Sequence, residues 1–299
     1  MNKALNSSKP PWLRVRLSVN EKFAFVKKTA LDLRLHTVCE EANCPNAVEC
    51  WNAGTATFLI LGERCTRRCN FCAVAHGPAG APDGDEPERV AMAVRAMKLS
   101  YVVITSVTRD DLAGGGADHF AKTIGSVRSL NPGVMIEVLV PDFQGATEAI
   151  QRVVRAKPDV LSHNVETIPR LYARVRPGAD YGRSLQLLKI ARSLDPVLTL
   201  KSGLMLGLGE SPEEVREVLA DLKGAGCELL TLGQYLRPTL NHLPVDRFVP
   251  PDEFDAWRIT ALEAGFSGVS SGPLVRSSFR ARDMYYRAHN GKGNRYGRA

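Results

Sequence analysis

The sequence has no hydrophobic run long enough to span a lipid bilayer. Its longest apolar stretches, TFLILG at 57–62 and YVVITSV at 101–107, are far shorter than the roughly 20 residues that a membrane helix needs. The first 18 residues, MNKALNSSKPPWLRVRLS, lack the apolar centre of a secretory signal. We therefore expect a cytoplasmic protein with no membrane partner, although a processed organellar protein would have the same composition.

The chain also lacks a concentrated block of positive charge. Its formal net charge is +7, but the basic residues are dispersed, apart from short pairs such as Lys27–Lys28 and Arg67–Arg68. This pattern is typical of a solvated basic surface, and attraction of an acidic partner is the alternative. No P-loop sequence occurs, which excludes that class of nucleotide site. We predict no nucleic-acid partner.

Cysteine is scarce outside one stretch, since six of the seven cysteines lie between residues 39 and 72. The second group, Cys65, Cys69 and Cys72, has C-x3-C-x2-C spacing and follows a predicted strand. Thiols clustered in this way favour metal over disulfides in a cytosolic chain. A closed zinc site needs four ligands, and no local residue supplies the fourth. Three thiolates on a 4Fe–4S cluster would instead leave one iron free for an outside ligand.

The first group, Cys39, Cys44 and Cys50, has C-x4-C-x5-C spacing and is also a trio. A second iron–sulfur cluster with a non-cysteine fourth ligand would fit it. The alternative is a structural zinc site completed by His36 or His76. The remaining thiol, Cys227, begins an apolar strand and is interpreted as a core residue.

Buried-type strands alternate with helices along most of the chain. We predict six strands, at 55–62, 101–107, 134–140, 159–165, 197–207 and 227–236, each followed by a stretch that favours a helix. Such alternation predicts an α/β fold with a parallel sheet. Six units fall short of the eight in a closed barrel, so we expect a partial (β/α)6 TIM-type barrel. A doubly wound sheet is the alternative.

A partial barrel leaves one side open, and other segments must cover the opening. We expect an N-terminal extension at 1–54 that carries the first cysteine group, a barrel at 55–265, and a C-terminal tail at 266–299. The extension and the tail are the segments that would close the barrel.

Several motifs together carry a family resemblance. The sequence CTRRCNFC, with Phe71 directly before the third cysteine, resembles the cluster loop of the radical S-adenosylmethionine (SAM) superfamily. The preceding CEEANCPNAVECWNAG and the later VRSSF resemble the lipoyl synthase family specifically, over about residues 39–285. Members of that family commonly have RSSY where this chain has RSSF, so the aromatic ring is kept and its hydroxyl is absent.

The resemblance implies the insertion of two sulfur atoms into an octanoyl chain carried on a protein lysine. The target carbons are saturated and unactivated, so the chemistry needs a radical that only a cofactor can supply. Cys65, Cys69 and Cys72 would hold a 4Fe–4S cluster that binds SAM and cleaves it to a 5′-deoxyadenosyl radical. Cys39, Cys44 and Cys50 would hold an auxiliary 4Fe–4S cluster that donates the sulfur.

The resemblance also implies further site residues. Ser278 would be the fourth, weakly bound ligand of the auxiliary cluster, with Ser277 as the alternative; otherwise both serines are turn or cap residues. The SAM-contacting residues implied are Phe71, Asn164, Glu166, Arg176 and Gly207. The alternative for Glu166 and Arg176 is a salt bridge with each other.

The implied partners are octanoylated lipoyl carrier domains or proteins, an electron donor such as ferredoxin or flavodoxin, and a cluster-rebuilding carrier protein. Two other interpretations stay open. The first is another radical SAM enzyme with an auxiliary cluster that inserts sulfur or transfers methylthio groups. The second is a non-catalytic iron–sulfur or zinc-binding protein, which would neither cleave SAM nor need a barrel.

Overall fold

The computed structural model describes residues 9–15 and 18–290; parts of the predicted extension and tail, at 1–8, 16–17 and 291–299, lie outside the described residues. Within this part of the chain one sheet contains eight strands: β1 His36–Thr37, β2 Thr57–Ile60, β3 Tyr101–Ser106, β4 Met135–Leu139, β5 Val160–Ser162, β6 Thr199–Leu206, β7 Leu229–Gln234 and β8 Gly268–Gly272.

Helices occur before, between and after these strands. The α-helices are α1 Glu21–Asp32, α2 Val38–Glu41, α3 Ala47–Asn52, α4 Glu86–Ala96, α5 Ala117–Leu130, α6 Thr147–Arg155, α7 Tyr172–Val175, α8 Tyr181–Leu194, α9 Pro212–Gly224, α10 Pro251–Glu263 and α11 Ala281–Asn290. Short 3-10 helices cover Pro11–Leu13, Ala113–Gly116, Phe143–Gly145 and Pro169–Leu171.

The strands are arranged in chain order from β1 to β8. The pair β1–β2 is antiparallel, and every later pair is parallel. All six predicted strands are present as β2 to β7, which confirms the α/β partial barrel. The sheet is longer than predicted, because β8 in the tail adds a seventh parallel strand. Among the described residues β1 and β8 do not pair, so the barrel has an open side.

The outer face of the sheet carries the main hydrophobic core. Outward side chains such as Ile60, Ile104 and Ile136 are fully buried against the surrounding helices. Burying each such side chain stabilises the fold by about 1.5–3 kcal/mol. The alternating residues of each strand point into the barrel.

Helix α11 closes the floor of the barrel. Its residues Met284, Tyr285 and Ala288 pack against Tyr101 and Leu229, which are the first residues of β3 and β7. The amino ends of the strands are thus covered, and the carboxyl ends remain accessible.

The extension and the tail meet over the open side. The Asn46 side chain donates a hydrogen bond to the Leu274 carbonyl oxygen at 2.6 Å, and Arg280 forms a 2.6 Å ion pair with Glu49. These contacts join α3 and the loop before it to the tail, 228 and 231 residues later in the chain. No helix within the described residues combines the length and apolarity required to cross a membrane.

Candidate active site

A cavity of about 1270 Å³ occupies the barrel interior above the floor and extends into the open side. Interior side chains of the strands form its apolar wall, among them Leu59, Val103, Leu139 and Met205. The predicted site residues that line it are Cys39, Cys44, Cys50, Cys65, Cys69, Phe71, Cys72, Asn164, Glu166, Arg176, Ser277 and Ser278. The fold therefore brings both cysteine groups and the tail serines to one space, although they are far apart in the chain.

The second cysteine trio lies in the loop after β2. The Cys65 sulfur accepts backbone hydrogen bonds from Arg67 at 3.4 Å and from Thr108 at 3.3 Å. Burial raises the pKa of the Cys69 thiol to about 11 and that of Cys72 to about 12. A compensating cation is therefore needed to hold these side chains as thiolates.

Arg67, inside this loop, anchors it to two neighbouring loops. Its guanidinium forms paired hydrogen bonds with Asp110 at 2.6 and 2.9 Å, and with Asp142 at 2.6 and 2.9 Å. The Asp142 carboxylate is fully buried, and its hydrogen bonds with Arg67 lower its pKa to about 2 in spite of burial. The loop after β2 is thus attached to the carboxyl ends of β3 and β4 by a charged, desolvated contact.

The first trio lies in the extension, where α2 contains Cys39 and α3 contains Cys50. Burial raises the pKa of Cys39 and Cys44, and it raises that of Cys50 to about 12. Trp51 fixes α3 by packing on Phe23, with ring centroids 5.0 Å apart. This trio, like the other, favours neutral thiols unless a metal supplies positive charge.

Of the two histidines considered as zinc ligands, His36 has a side-chain contact and His76 a backbone one. His36 Nδ1 lies 3.0 Å from the Glu41 carboxylate, and His76 forms a backbone bridge with Cys65. Over the described ranges, no three His, Cys, Asp or Glu side chains are grouped around a single-ion site.

The two tail serines differ in their contacts. The Ser277 hydroxyl donates to the Asn164 side-chain oxygen at 3.2 Å. The Ser278 hydroxyl has no hydrogen-bond partner in the described part of the chain, and it faces the same cavity. Ser278 is therefore the hydroxyl that is available to an added ligand.

The loop after β5 supplies polar groups. The Asn164 amide donates to the Glu166 carboxylate at 3.0 Å, and Arg176 donates to the Asn164 carbonyl at 2.8 Å. Burial raises the pKa of Glu166, while the charge of Arg176 opposes that shift. No ion pair within 4 Å joins Glu166 to Arg176 in the residues that the structure covers, so the proposed mutual salt bridge is not formed.

Gly207 is the one predicted contact that the structure does not place at the cavity. Its φ is +94°, its N–H donates to the Glu210 carboxylate at 2.6 Å, and an added Cβ would collide with Gln234 and the Arg247 carbonyl. Glycine is thus required by backbone geometry and close packing. The SAM contact of Gly207 stays a prediction, and these contacts give the glycine a packing role.

Two residues beside the site were not predicted from the sequence. His163 directly precedes Asn164, is 2% exposed, and lies 2.8 Å through Nδ1 from the Val140 carbonyl oxygen. Arg276 precedes the tail serines, and its charge acts on Cys44. Their positions next to predicted site residues were the available signal.

Comparison with known proteins identifies the family. Residues 59–222 match the radical SAM superfamily, and residues 1–44 match the N-terminal domain of lipoyl synthase of the radical SAM family. The lipoyl synthase of Syntrophotalea carbinolica is 55% identical over 275 residues, which cover 92% of this chain and 89% of the relative. That of Caldicellulosiruptor saccharolyticus is 53% identical, with 93% and 98% covered.

Solved structures support the fold. HydG, a maturase of the [FeFe]-hydrogenase, has a TM-score of 0.58 at 14% identity, covering 83% of this chain and 65% of that chain. Streptococcus suis SuiB bound to its precursor peptide SuiA has a TM-score of 0.56 at 13% identity, covering 72% and 48%. Identity, coverage and the two matched domains agree with the motifs around both cysteine trios, and the chain belongs to the lipoyl synthase family of radical SAM enzymes.

Proposed function

We propose that this chain inserts two sulfur atoms at carbons 6 and 8 of a protein-bound octanoyl-lysine, which gives the lipoyl cofactor. The observation that supports this most directly is the convergence of both cysteine trios on one cavity. The reaction needs a radical source and a sulfur source near the same acyl chain, and the cavity offers a site for each.

In this proposal Cys65, Cys69 and Cys72 hold one 4Fe–4S cluster and leave one iron for SAM. When bound and reduced, this cluster supplies the electron that cleaves SAM and generates the hydrogen-abstracting 5′-deoxyadenosyl radical. Arg176 is a guanidinium donor suited to the SAM carboxylate. Asn164 and Glu166 offer acceptors for ribose hydroxyls.

Cys39, Cys44 and Cys50 hold the auxiliary cluster, with Ser278 as its fourth ligand. The free hydroxyl of Ser278 and the contact between Asn46 and the tail support this assignment. An alcohol oxygen binds iron less strongly than a thiolate does. Ligation by Ser278 would therefore help a cluster that has to release sulfide.

The apolar wall of the cavity suits an octanoyl chain. Leu59, Val103, Leu139 and Met205 can exclude water from the acyl carbons, which protects a radical from side reactions. The volume of about 1270 Å³ exceeds the range of roughly 300–1,000 Å³ for a pocket that holds one small ligand. Room for an acyl chain beside SAM is what the reaction requires.

The proposal includes the partners that this chemistry needs. They are an octanoylated carrier domain, an electron donor such as ferredoxin or flavodoxin, and a carrier protein that rebuilds the auxiliary cluster. We also propose that the protein is located in the cytoplasm.

Product analysis after anaerobic reconstitution tests this function. With SAM, a strong reductant and an octanoyl-lysine peptide, we expect 5′-deoxyadenosine and lipoyl peptide at about two to one, since each carbon needs one radical. The same protein without the peptide is the control for uncoupled SAM cleavage. Failure to form 5′-deoxyadenosine would favour a non-catalytic iron–sulfur protein, and 5′-deoxyadenosine without a lipoyl product would favour another radical SAM enzyme.

A further inference from the structure

Three residues that line the cavity each have a buried side-chain atom with no hydrogen-bond partner within the described residues. The atoms are Ser106 Oγ, His163 Nε2 and Arg176 Nε. Nearly all buried polar atoms in folded proteins are hydrogen-bonded, because an unpaired one costs about 1–3 kcal/mol. Such atoms on the wall of a cavity indicate contacts that a bound molecule completes.

His163 has the most restrictive chemistry of the three. Its Nδ1 lies 2.8 Å from the Val140 carbonyl oxygen, and a carbonyl can only accept, so Nδ1 carries the proton. Burial, together with the charge of Arg176, lowers the pKa of the ring to about 4. His163 is therefore neutral near pH 7, and its Nε2 is a hydrogen-bond acceptor.

The surrounding charges limit which donor can reach this acceptor. The guanidinium groups of Arg176 and Arg67 both act on the His163 ring, and the Asp142 carboxylate partly offsets them. Asp142 is itself engaged by Arg67. An added ammonium group would be opposed by Arg176, whereas a neutral O–H or N–H would not.

Among the molecules of the proposed reaction, the nucleoside of SAM carries donors of this kind. Its ribose hydroxyls and the amino group of adenine are neutral, while the methionine part donates through an ammonium group. The octanoyl-lysine substrate carries one neutral donor, its amide N–H, and the octanoyl carbons carry none. Asn164 and Glu166, in the same loop as His163, are the residues proposed for the ribose.

We propose that His163 Nε2 accepts a hydrogen bond from a neutral donor on the adenosine part of SAM. His163 is then a cofactor-binding residue, with its ring orientation fixed by the Val140 carbonyl. This inference rests on the proposed function and adds a specific nucleoside contact to it.

The variant His163→Asn tests the contact. The asparagine amide can keep the hydrogen bond to Val140 but has no atom in the position of Nε2. Affinity for 5′-deoxyadenosine, measured by equilibrium dialysis on the reconstituted protein, should fall about 10-fold to 100-fold, as for other lost buried hydrogen bonds. His163→Gln, whose longer side chain can present an oxygen acceptor, should recover part of the affinity.

His289→Asn is the matched control. His289 Nδ1 also lies 2.8 Å from a carbonyl oxygen, that of Tyr285, but its Nε2 is 3.3 Å from the Thr199 hydroxyl and does not line the cavity. Nucleoside affinity should be unchanged in this variant. An equal loss in both variants would mean that the effect comes from general destabilisation, and the inference would be wrong.

Nucleoside analogues that each lack one hydrogen-bond donor identify the group that contacts His163. The loss of affinity can be measured on the wild type, so this test does not depend on the folding of a variant. The probes are 2′,5′-dideoxyadenosine, 3′,5′-dideoxyadenosine and 5′-deoxyinosine. One of these analogues should bind the wild type more weakly than 5′-deoxyadenosine does. The His163→Asn variant should bind that analogue and 5′-deoxyadenosine with equal affinity. If all three bind the wild type as well as the parent, or if His163→Asn binds 5′-deoxyadenosine normally, no nucleoside donor reaches His163.

These outcomes are separable from a failure of the proposed function. Unchanged nucleoside affinity in His163→Asn, with lipoyl product still formed by the wild type, overturns only the assignment of His163. A wild type that binds neither SAM nor 5′-deoxyadenosine overturns both.

Discussion

Individual side chains determine which positions of the two proposed clusters stay open. Each trio provides three thiols, and burial raises the pKa of Cys50, Cys69 and Cys72 to about 11–12. Because a buried thiolate is unfavourable without positive charge, these cysteines are suited to iron and poorly suited to free reactive thiolates. The fourth iron of each proposed cluster then needs an oxygen ligand or a small molecule.

Replacing Ser278 by Ala should weaken the auxiliary cluster selectively. The variant removes a hydroxyl that has no hydrogen-bond partner in the described part of the chain. We expect about a tenfold drop in lipoyl product per turnover, which is typical when a group that supports a metal site is lost. Formation of 5′-deoxyadenosine should persist. Ser277→Ala, which removes only the hydrogen bond to Asn164, should have the smaller effect on iron content, and the reverse order would assign the ligand to Ser277.

His163 gives a pH-dependent stability. Its pKa is ordinarily 6.5 and is lowered to about 4 by burial and by Arg176, so between those values the unfolded chain binds the extra proton. Stability is therefore present above pH 6.5 and is lost as pH falls towards 4. From pH 6.5 to 5 the loss is on the order of 2 kcal/mol, at about 1.4 kcal/mol for each unit of pH.

Urea unfolding at several pH values measures this contribution. The free energy of unfolding should fall more steeply between pH 6.5 and 5 in the wild type and in His289→Asn than in His163→Asn. Equal slopes in all three proteins would show that the His163 ring is not buried in its neutral form.

At the residue scale, the spacing of the six cysteines predicted two metal-binding groups, but it did not predict the residues that position them. A C-x3-C-x2-C sequence is visible without any structure. The role of Arg67 depends on Asp142, which lies 75 residues away, and the role of His163 depends on Val140, 23 residues away. Their functions were not readable from sequence because partners at such distances are set by the fold.

Loops at the carboxyl ends of neighbouring strands are the elements that hold the site. The loop after β2 is attached to those after β3 and β4 through Arg67, whose side chain is 7% exposed. Removing one partner of a buried charge pair typically costs about 3–5 kcal/mol, because the other charge remains buried. This contact therefore has the strength to set the position of the cluster loop.

Substituting Arg67 tests that attachment. Arg67→Gln should lower the free energy of unfolding by about 3 kcal/mol and reduce iron bound by the second trio, since it leaves two carboxylates without their cation. Arg67→Lys should recover only part of both, because an ammonium cannot form two paired contacts. Chemical denaturation and iron analysis provide the two measurements.

The control for this prediction is an exposed pair of similar geometry. Arg170 contacts Glu214 at 2.7 Å, but its side chain is 57% exposed, so Arg170→Gln should change stability much less. If Arg67→Gln and Arg170→Gln were equally stable and equally loaded with iron, Arg67 would not hold the loop.

Among the elements, strands rich in apolar residues were predictable from the sequence, and a strand with few apolar residues was not. Strands β2 to β7 are rich in β-branched and apolar residues, which is the pattern that predicted them. By contrast, β8 reads GVSSG, and its Gly268 packs on Met284 and Ala288 of α11. A strand with so few apolar residues forms because β7 and α11 provide its partners, which a local pattern does not show.

At the scale of the whole molecule, the described parts of the extension and the tail meet where the barrel is open. The extension carries one cysteine trio, and the tail carries the serines, β8 and the floor helix. The ion pair between Glu49 and Arg280 is exposed, and exposed pairs contribute little on their own. In the proposed holoenzyme the auxiliary cluster would supply the stronger connection.

Removing iron by anaerobic chelation should therefore loosen both segments together. Hydrogen exchange should accelerate at 39–50 and at 274–280, while amides in β4 and β5 keep their protection, since the strands do not depend on the clusters. Acceleration in only one of the two segments, or equal acceleration in β4, would contradict a cluster that joins the extension to the tail.

The variant Cys44→Ala tests most directly whether one cysteine trio serves SAM cleavage and the other supplies sulfur. After anaerobic reconstitution, its iron content should fall from about eight to about four per chain, since one of two 4Fe–4S clusters is lost. In a single turnover with SAM, reductant and an octanoyl-lysine peptide, it should still release 5′-deoxyadenosine but form no lipoyl peptide, whereas Cys69→Ala should form neither. Lipoyl peptide from Cys44→Ala at the wild-type level would contradict the account.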